Sequence, residues 1–434
     1  SIQVLSSKIN KNFNEIKCEF LNKNKLSISN FNNVNKNINN KINIKKNYEN
    51  IDISSLLINH NKKIVDRVLN DFKNISNNDI YKIINASSCW LFDYLRKSKS
   101  TQLILLLNND EDSTSVCLIV YNMCKLIEKN YEKIKKEKFT KELFKSLNIN
   151  KNNHNANLIF EKILKCVYLE DNNDYHNDNL KRISYNLIKL LSNNENPKNW
   201  KFFSTNSLLN YTEKILSEQL SNTEKINVKK NKKYIRSKLS TFFLYSLSNI
   251  YKSDNYLLTL ASSNSDELLV GNYKNYDTSI GDINLIGSLP KIYINKILMY
   301  YGLLFPNLKN NPILDILFFN YENKYNNLNN ILYIEQENIG ISYSQIEFIG
   351  NLRSYGYGMI DVYNKAKKSK LFKNKNDAKN KIELFYKLYS INRNKATIST
   401  PCVHLLPNSD DNRFDLRQIL YPKSTKQLDI IKNL

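Results

Sequence analysis

The stretch "LILLLNNDEDSTSVCLIVYNMCKLIEKNYEKIKKEK", residues 103–138, carries the periodicity from which the fold class is predicted. Ser113 or Thr114 is a residue type that caps helix N-termini. Apolar side chains then recur at steps of three and four residues, namely Val116, Ile119, Val120, Met123 and Ile127. This spacing predicts an amphipathic helix that runs to about Lys138.

Similar patterns recur along most of the chain. A helix is predicted over 79–95, with Asn78 or Asp79 as its N-cap, and the joints between helices are rich in Asn and Asp. Further helices are predicted over 139–149, 155–170, 178–193, 206–220 and 229–252. Successive helices with short polar joints predict a mainly α fold, with helical hairpins stacked as a bundle or an irregular α-solenoid.

Changes of composition divide the chain into five predicted regions. "FNNVNKNINNKINIKKN" has no sustained apolar face, residues 256–289 hold three of the eight glycines, and prolines interrupt the C-terminal end. The predicted regions are a basic extended N-terminal arm of low complexity (1–50), a helical domain (51–255), a loop or small β-element linker (256–289), a second helical region (290–395) and an irregular C-terminal tail (396–434).

The composition limits the class of protein. Hydrophobic residues make up 41% of 434 residues, which is enough for a sizeable core and argues against a wholly disordered chain. The longest aliphatic run, "LILLL" at 103–107, is far shorter than a membrane span, so none is predicted. The six cysteines form no CxxC pair, which indicates reduced thiols in a reducing compartment.

The net charge of +23, from 64 Lys+Arg against 41 Asp+Glu, indicates a polyanionic partner. Most of the cations are lysines, which suit phosphates without base selectivity. An excess of Asn, Lys, Ile and Tyr is also what AT-rich codons give. The charge therefore leaves two interpretations open, a contact with phosphates or a tolerated Lys-rich surface.

Two clusters carry lysines with almost no acidic neighbours to balance them, and the N-terminal arm has nine Lys against Glu15, Glu19 and Glu49. "VKKNKKYIRSK" (228–238) has no acid, and "KAKKSKLFKNKNDAKNK" (365–381) has one, whereas residues 125–142 alternate Glu with Lys. The predicted phosphate contacts are Lys45, Lys46, Lys229, Lys230, Lys232, Lys233, Arg236, Lys238, Lys365, Lys367, Lys368, Lys370, Lys373 and Lys375.

"RSYGYGMIDVY" (353–363) is similar to the start of the RNP1 pattern of RNA-recognition motifs. Arg353, Tyr355 and Tyr357 would then contact RNA, because exposed aromatic rings stack on unpaired bases. Ser354 and Gly358 depart from the pattern, however. A helix break that presents the same three residues to RNA, or plain core tyrosines, are the alternatives.

Signals for catalysis are sparse. No Walker A, GxGxxG, GxSxG or HExxH string occurs, and eight glycines leave little material for phosphate-binding loops. Asp110, Glu111 and Asp112 could hold Mg²⁺, but acids at helix joints are usually caps or turn formers. Cys402 and His404 alone do not make a zinc site. We therefore predict no enzyme activity, no catalytic residue, no metal site and no cofactor.

Together these observations predict a non-enzymatic, RNA-binding structural component of a large ribonucleoprotein. A mitochondrial ribosome of an AT-rich organism fits best. The predicted partners are RNA, most plausibly rRNA, and neighbouring proteins of the complex. The predicted location is the matrix of a mitochondrion or other organelle. The alternative is a viral or phage structural or replication protein of an AT-rich genome without a specific RNA role.

Overall fold

The computed structural model describes residues 75–108, 110–150, 152–170, 177–221, 228, 231–251, 257–272, 281–305, 311–325, 339–408 and 426–433. The N-terminal arm predicted over 1–50 lies outside these residues, as does part of the linker predicted over 256–289. Both boundaries stay predictions.

The described part of the chain contains a five-stranded sheet in which all neighbouring strands run parallel. The strands are β1 Gln102–Leu106, β2 Leu164–Glu170, β3 Trp200–Ser204, β4 Leu257–Ala261 and β5 Ile283–Asn284. Their order across the sheet is β3-β2-β1-β4-β5, so β1 is the central strand.

Helices follow or precede each strand. Up to the end of the sheet they are α1 Asn77–Ser98, α2 Glu111–Ile134, α3 Lys138–Ser146, α4 Ala156–Ile163, α5 Asn177–Ser192, α6 Asn206–Gln219, α7 Lys232–Ile250 and α8 Ser265–Val270. After the sheet come α9 Lys291–Leu303, α10 Pro312–Tyr325, α11 Tyr343–Ser354, α12 Met359–Ala366, α13 Lys375–Ile391, a 3₁₀ helix Arg393–Ile398 and α14 Lys426–Asn433.

The prediction of a mainly α bundle or solenoid is wrong, because the fold is α/β with a parallel sheet. The aliphatic run at 103–107 forms β1, where Leu103 pairs with Leu164 on one side and Leu258 on the other. Parallel strands are covered by helices on both faces, so they read as continuous apolar runs without the alternation that marks an exposed strand.

The second half of the helix predicted over 155–170 is wrong, because those residues also form a buried parallel strand. Helix α4 ends at Ile163, and Leu164 turns into extended backbone to begin β2. The predicted helical domain (51–255) therefore contains three of the five strands. The helices predicted over 178–193, 206–220 and 229–252 are confirmed as α5, α6 and α7.

The two predicted helix caps are displaced toward the N-terminus. Ser76 caps α1, and its side chain accepts a hydrogen bond from the Asp79 amide. Asp110 caps α2 in the same way through the Ser113 amide. The first turn of α2 therefore includes the acidic residues 111 and 112, which brings them to the end of β1.

The chain reverses its direction of progress across the sheet between β1 and β4. From β1 it adds β2 and β3 on one side, and then it returns to add β4 and β5 on the other side of β1. In open parallel sheets, ligands bind outside the carboxyl ends of the strands at such a reversal point. A ligand site is therefore expected at the segments that follow β1 and β4.

Residues 339–398, which we call the C-terminal layer, form a second apolar core that packs against α8. Leu269 and Val270 of α8 are buried among side chains of α11, α12 and α13, including Ile349 and Phe385. This core connects the C-terminal helices to the segment that follows β4.

Two observations concern the surroundings of the protein. None of the helices in the described ranges is long and apolar enough to cross a membrane. Among the described cysteines, Cys89, Cys117, Cys124, Cys166 and Cys402 are free thiols. Location in an organelle and in a reducing compartment stays a prediction.

Candidate functional site

The candidate site lies where the segments after β1, β4 and β5 meet at the carboxyl end of the sheet. The first contributes Glu111 and Asp112 at the start of α2, the second contributes Asn264 before α8, and the third contributes Lys291 at the start of α9. All four residues are buried, with exposed fractions of 5% or less. Polar side chains this deeply buried require partners.

Lys291 is the cation at the centre of this site. Its ammonium group contacts a carboxylate oxygen of Asp112 and lies 3.3 Å from Glu111 Oε2. Burial by itself lowers the pKa of Lys291, but the two carboxylates outweigh it and raise the pKa well above its ordinary value. Lys291 therefore stays charged and joins α9 to α2.

Asn264 connects the two segments that flank the reversal point of the sheet. Its Nδ2 donates a 3.0 Å hydrogen bond to Asp112 Oδ1. Its Oδ1 accepts hydrogen bonds from the amides of Asp266 and Glu267, and the Glu267 side chain accepts one from the Asn264 amide, which completes a capping box. The residue thus fixes the start of α8 against the start of α2.

Asp266 is the most deeply buried carboxyl group of the site, with 1% of its surface exposed. Its Oδ2 accepts a 2.8 Å hydrogen bond from the Lys291 amide, while its Oδ1 has no hydrogen-bond partner among the described residues. Burial raises the pKa of Asp266 well above its ordinary value, and that favours the protonated form.

The connection from β1 to α2 differs from a phosphate-binding loop. It contains no glycine between residues 107 and 112, and Asp110 Oδ1 accepts a 2.7 Å hydrogen bond from the Ser113 amide that an anion could otherwise receive. Burial and the neighbouring Asp112 raise the pKa of Asp110 to about 6. The helix dipole stabilises these carboxylates, and in the same position they oppose a phosphate.

Several buried polar atoms at the starts of α2 and α8 and along α9 make no hydrogen bond to any of the described residues. They are Thr114 Oγ1, Ser265 Oγ, Asp266 Oδ1 and Asn295 Oδ1. A buried polar atom without a partner costs about 1–3 kcal/mol. They lie on the same three helix segments that carry Asp112, Asn264 and Lys291, which fits a site that a polar ligand completes. No group of three His, Cys, Asp or Glu side chains within the described ranges is arranged to hold a metal ion.

The predicted RNA-contacting lysines belong to segments other than those that form this site, or they lie outside the described residues. Four of them lie outside the described residues, namely Lys45, Lys46, Lys229 and Lys230. Lys232 and Lys233 belong to α7. Further along α7, Arg236 is half-buried and Lys238 is exposed. The exposed lysines of the second cluster lie on α12, in the segment that follows it and at the start of α13, namely Lys365, Lys367, Lys368, Lys370, Lys373 and Lys375.

The RNP1-like segment is not a strand, so the comparison with RNA-recognition motifs is wrong. It covers the end of α11, a turn at Gly356 with φ of 84°, and the start of α12. Tyr355 and Tyr357 are exposed in this helix break, and Lys365 Nζ lies 4.6 Å from the Tyr357 ring centroid. The Arg353 guanidinium instead lies 3.9 Å from the centroid of the Tyr389 ring.

Sequence reasoning missed Lys291, Asn264 and Asp266 as functional candidates, and it considered the acids at 110–112 as Mg²⁺ ligands but favoured caps or turn formers. The available signal was positional. Polar residues follow the aliphatic runs "LILLL" and "LLTLA", as expected at the carboxyl ends of buried parallel strands. Without identifying those runs as strands, the three segments could not be brought together.

The chain was compared with known protein families, curated proteins and solved structures. No model of a known protein family matches the chain. A glutamine-dependent NAD(+) synthetase of Oryza sativa subsp. indica is 27% identical over 373 residues, covering 78% of this chain and 47% of that protein. The corresponding enzyme of Arabidopsis thaliana is 27% identical over 389 residues, covering 81% of this chain and 50% of that protein. The chain thus spans about half the length of the curated relatives that it matches.

Among solved structures, a glutamine-dependent NAD(+) synthetase from Cytophaga hutchinsonii has the same fold over most of this chain. The TM-score is 0.58 at 17% identity, and the match covers 82% of this chain and 55% of that structure. This likeness supports the α/β assignment with its parallel sheet.

These relatives contradict the functional predictions made from composition. The proteins to which the chain is similar are enzymes that make a small molecule, so a non-enzymatic, RNA-binding ribosomal component with rRNA as its partner is wrong. The physical reason is visible in the fold. The exposed lysines that suggested RNA are on the surface, whereas the buried centre is rich in carboxylates around one lysine.

Proposed function

We propose that this chain takes part in NAD⁺ synthesis and that the reaction occurs at the carboxyl end of its sheet. The observation that carries the proposal is the buried polar cluster at the reversal point between β1 and β4, where Lys291, Asp112 and Asn264 join three segments. Similarity to glutamine-dependent NAD(+) synthetases over 78% of the chain supports the choice of product.

The chemistry follows from the product and from the nitrogen donor in the relatives' name. NAD⁺ carries a carboxamide, so a glutamine-dependent synthesis transfers nitrogen to the corresponding carboxylate. A carboxylate does not react with ammonia at neutral pH until it is activated, and a nucleoside triphosphate is the usual activating reagent. The expected substrates are therefore a dinucleotide that bears the free carboxylate and a nucleoside triphosphate.

The site residues fit parts of this task. Both substrates carry phosphates, and Lys291 is the cation that the structure places at the site. The carboxylates of Asp112 and Glu267 suit the Mg²⁺ that accompanies a nucleoside triphosphate, because such an ion needs only one or two protein carboxylates besides phosphate oxygens. The unpartnered polar atoms near Lys291 would hydrogen-bond the substrates.

The carboxylates at the start of α2 predict where phosphates do not bind. Asp110 and Glu111 place negative charge at the helix N-terminus that commonly holds a phosphate. Phosphates are therefore expected beside Lys291 rather than on the backbone amides of α2.

The proposal is tested by measuring NAD⁺ formation by the purified full chain from nicotinic acid adenine dinucleotide, ATP and MgCl₂. Glutamine and ammonium chloride are supplied in separate reactions, because ammonium provides nitrogen without glutamine. Formation of NAD⁺ with either donor is the expected result. Lys291→Met is expected to lower the rate at least tenfold.

Lys82→Met is the matched control, since Lys82 forms an exposed ion pair with Asp79 on α1. An equal loss of rate in both variants would contradict the assignment of the site. The proposal itself would be overturned if the parent chain formed no NAD⁺ with either donor and calorimetry showed that it binds neither ATP nor the dinucleotide.

A further inference from the structure

Helix α8 is too short to hold its own conformation. It has six residues, whereas isolated helices shorter than about 12–15 residues are marginal in water. The last four carbonyl groups of any helix also lack partners within the helix. The conformation of α8 therefore depends on groups outside it, at both ends.

The N-terminal end of α8 belongs to the candidate site. Asn264 caps it and donates to Asp112, while Asp266 accepts from the Lys291 amide. The Ser265 amide donates to Leu289 O at 3.1 Å. Any rotation or shift of α8 consequently moves Asn264 and Asp266 relative to the Lys291–Asp112 pair.

The C-terminal end of α8 is held mainly by three consecutive or nearly consecutive residues of the C-terminal layer. Arg393 donates to Leu268 O at 2.8 Å and to Leu269 O at 3.4 Å. The other two are Asn392, which donates to Val270 O at 3.0 Å, and Lys395, which donates to Gly271 O at 2.6 Å. Backbone amides of residues 271 and 272 supply the remaining hydrogen bonds to the last turn.

Arg393 is the most unusual of these three residues, because it is an arginine with 1% of its surface exposed. Its guanidinium lies 3.8 Å from the centroid of the Tyr389 ring, and its Nε donates to Tyr389 O. Its positive charge faces the carbonyls at the C-terminus of α8, where the helix dipole favours a cation. Burial of an arginine at this cost is expected where its geometry is needed.

We infer that Arg393 is a positioning residue for the site: from the C-terminal layer it holds the end of α8, and α8 holds Asn264 and Asp266 against Lys291. The inference rests on the proposed function only for its effect on turnover. The contacts that the structure describes for Arg393 are with the end of α8 and with Tyr389, so its effect on the Lys291–Asp112 pair is exerted through α8. Its guanidinium is required because Nη2 donates to the α8 carbonyls while Nε donates to Tyr389 O, which the single nitrogen of a lysine cannot do at once.

The experiment compares Arg393→Met, Arg393→Lys and Ile382→Val. Ile382 is a fully buried residue of the same apolar core whose side chain donates no hydrogen bond, so its truncation lowers stability without releasing α8. Hydrogen exchange is measured on each full-length variant by mass spectrometry of peptides covering residues 262–272. The kcat and KM of NAD⁺ formation are measured on the same samples.

Arg393→Met is expected to raise exchange in 262–272 at least tenfold and to lower kcat at least tenfold, with a change in KM of less than threefold. Arg393→Lys is expected to recover part of both, since a lysine still reaches one carbonyl. Ile382→Val is expected to lower Tm and yet leave the 262–272 peptides and kcat near parental values.

Unchanged exchange in 262–272 in Arg393→Met, or an equal effect of Ile382→Val, would overturn the inference. If the parent chain forms no NAD⁺, the exchange measurement still decides the inference, because it requires no substrate. Failure of the proposed function and failure of the positioning role are thus separate results.

Discussion

Lys291 and Asp112 form an ion pair whose side chains are 6% and 8% exposed, and this pair joins α9 to α2 at the carboxyl end of the sheet. Glu111 adds a second carboxylate to the same ammonium group. The pair is therefore both a link between two helices and the charged centre of the candidate site. Removal of the pair should therefore lower both the free energy of unfolding and the rate of the reaction, and the two effects can be measured separately.

Replacement of Lys291 by Met should destabilise the protein strongly. It leaves the buried carboxylates of Asp112 and Glu111 without their cation, and breaking a buried ion pair from one side costs about 3–5 kcal/mol. Urea unfolding at pH 7 measures the loss. Lys82→Met, which removes an exposed ion pair, should cost less than about 1 kcal/mol; similar losses for the two variants would contradict the burial argument.

Replacement of Asp110 by Asn should stabilise the protein in a pH-dependent manner. Asn caps a helix as well as Asp does, so the change mainly removes the charge. The folded protein raises the pKa of Asp110 from 3.8 to about 6, and it therefore binds this proton more tightly than the unfolded chain. The parental protein accordingly loses stability from this group as the pH rises from about 4 to about 6.

The stability of Asp110→Asn relative to the parent should thus be near zero at pH 4 and reach about 1–2 kcal/mol at pH 7, after discounting for the partial exposure of the group. Unfolding free energies at pH 4, 5, 6 and 7 provide the measurement. A difference that stays constant over this range would show that the proton is not held as the structure indicates.

Replacement of Glu111 by Gln should strengthen the binding of ATP. The change removes one buried negative charge from the start of α2 and leaves Lys291 with one carboxylate partner instead of two. We expect a 3- to 10-fold lower Kd for ATP with Mg²⁺, about 1 kcal/mol, by isothermal titration calorimetry. Glu128→Gln, about 25 Å further along the same helix, is the control and should leave the Kd unchanged.

Replacement of Gly271 by Ala should disrupt the end of α8. Gly271 has φ of 66°, and a Cβ there would lie 2.1 Å from Asn392 Cβ. We expect a loss of more than about 2 kcal/mol, from left-handed strain and the clash together. Gly356→Ala is a matched control, because Gly356 has φ of 84° with nothing within 4 Å of its Cβ position and should cost about 1 kcal/mol.

The double variant Gly271→Ala with Asn392→Gly separates the clash from the strain. Because the Asn392→Gly substitution removes the clashing Cβ, it should lower the free energy of unfolding less in the Gly271→Ala background than in the parent. Thermal and urea unfolding of the four proteins give the coupling free energy, which we expect to be about 1 kcal/mol. Simple additivity would show that the neighbouring chain relaxes around the new methyl group.

Helices were predictable from the sequence to the extent that they are amphipathic, with one apolar and one polar face. Helix α5 has one buried face, helix α6 buries Leu209 on an otherwise half-buried face, and the predicted bounds of both lie within one residue of the observed ones. Strand β1, at residues 102–106, is buried on both faces and has no alternation that would distinguish it from a short helical segment. Five-residue strands of this kind become recognisable only when their neighbours are known.

The site was less predictable than the fold, because it is formed by tertiary contacts. Asp112 and Lys291 are separated by 179 positions, and Asp112 and Asn264 by 152. Nothing local to Lys291 marks it among so many lysines. The net charge of the chain points to the surface, where lysines are frequent, and not to Lys291, which is buried.

The central position of β1 has a consequence for the growing chain on the ribosome. Its partner β2 begins at residue 164, but its other partner, β4, begins only at residue 257. At ordinary rates of translation, about 10–30 s pass before the neighbour on the second edge of this strand, which is aliphatic apart from Gln102, is synthesised. A release of the chain before residue 257 should therefore produce not a smaller folded protein but one with an open apolar edge, which invites aggregation.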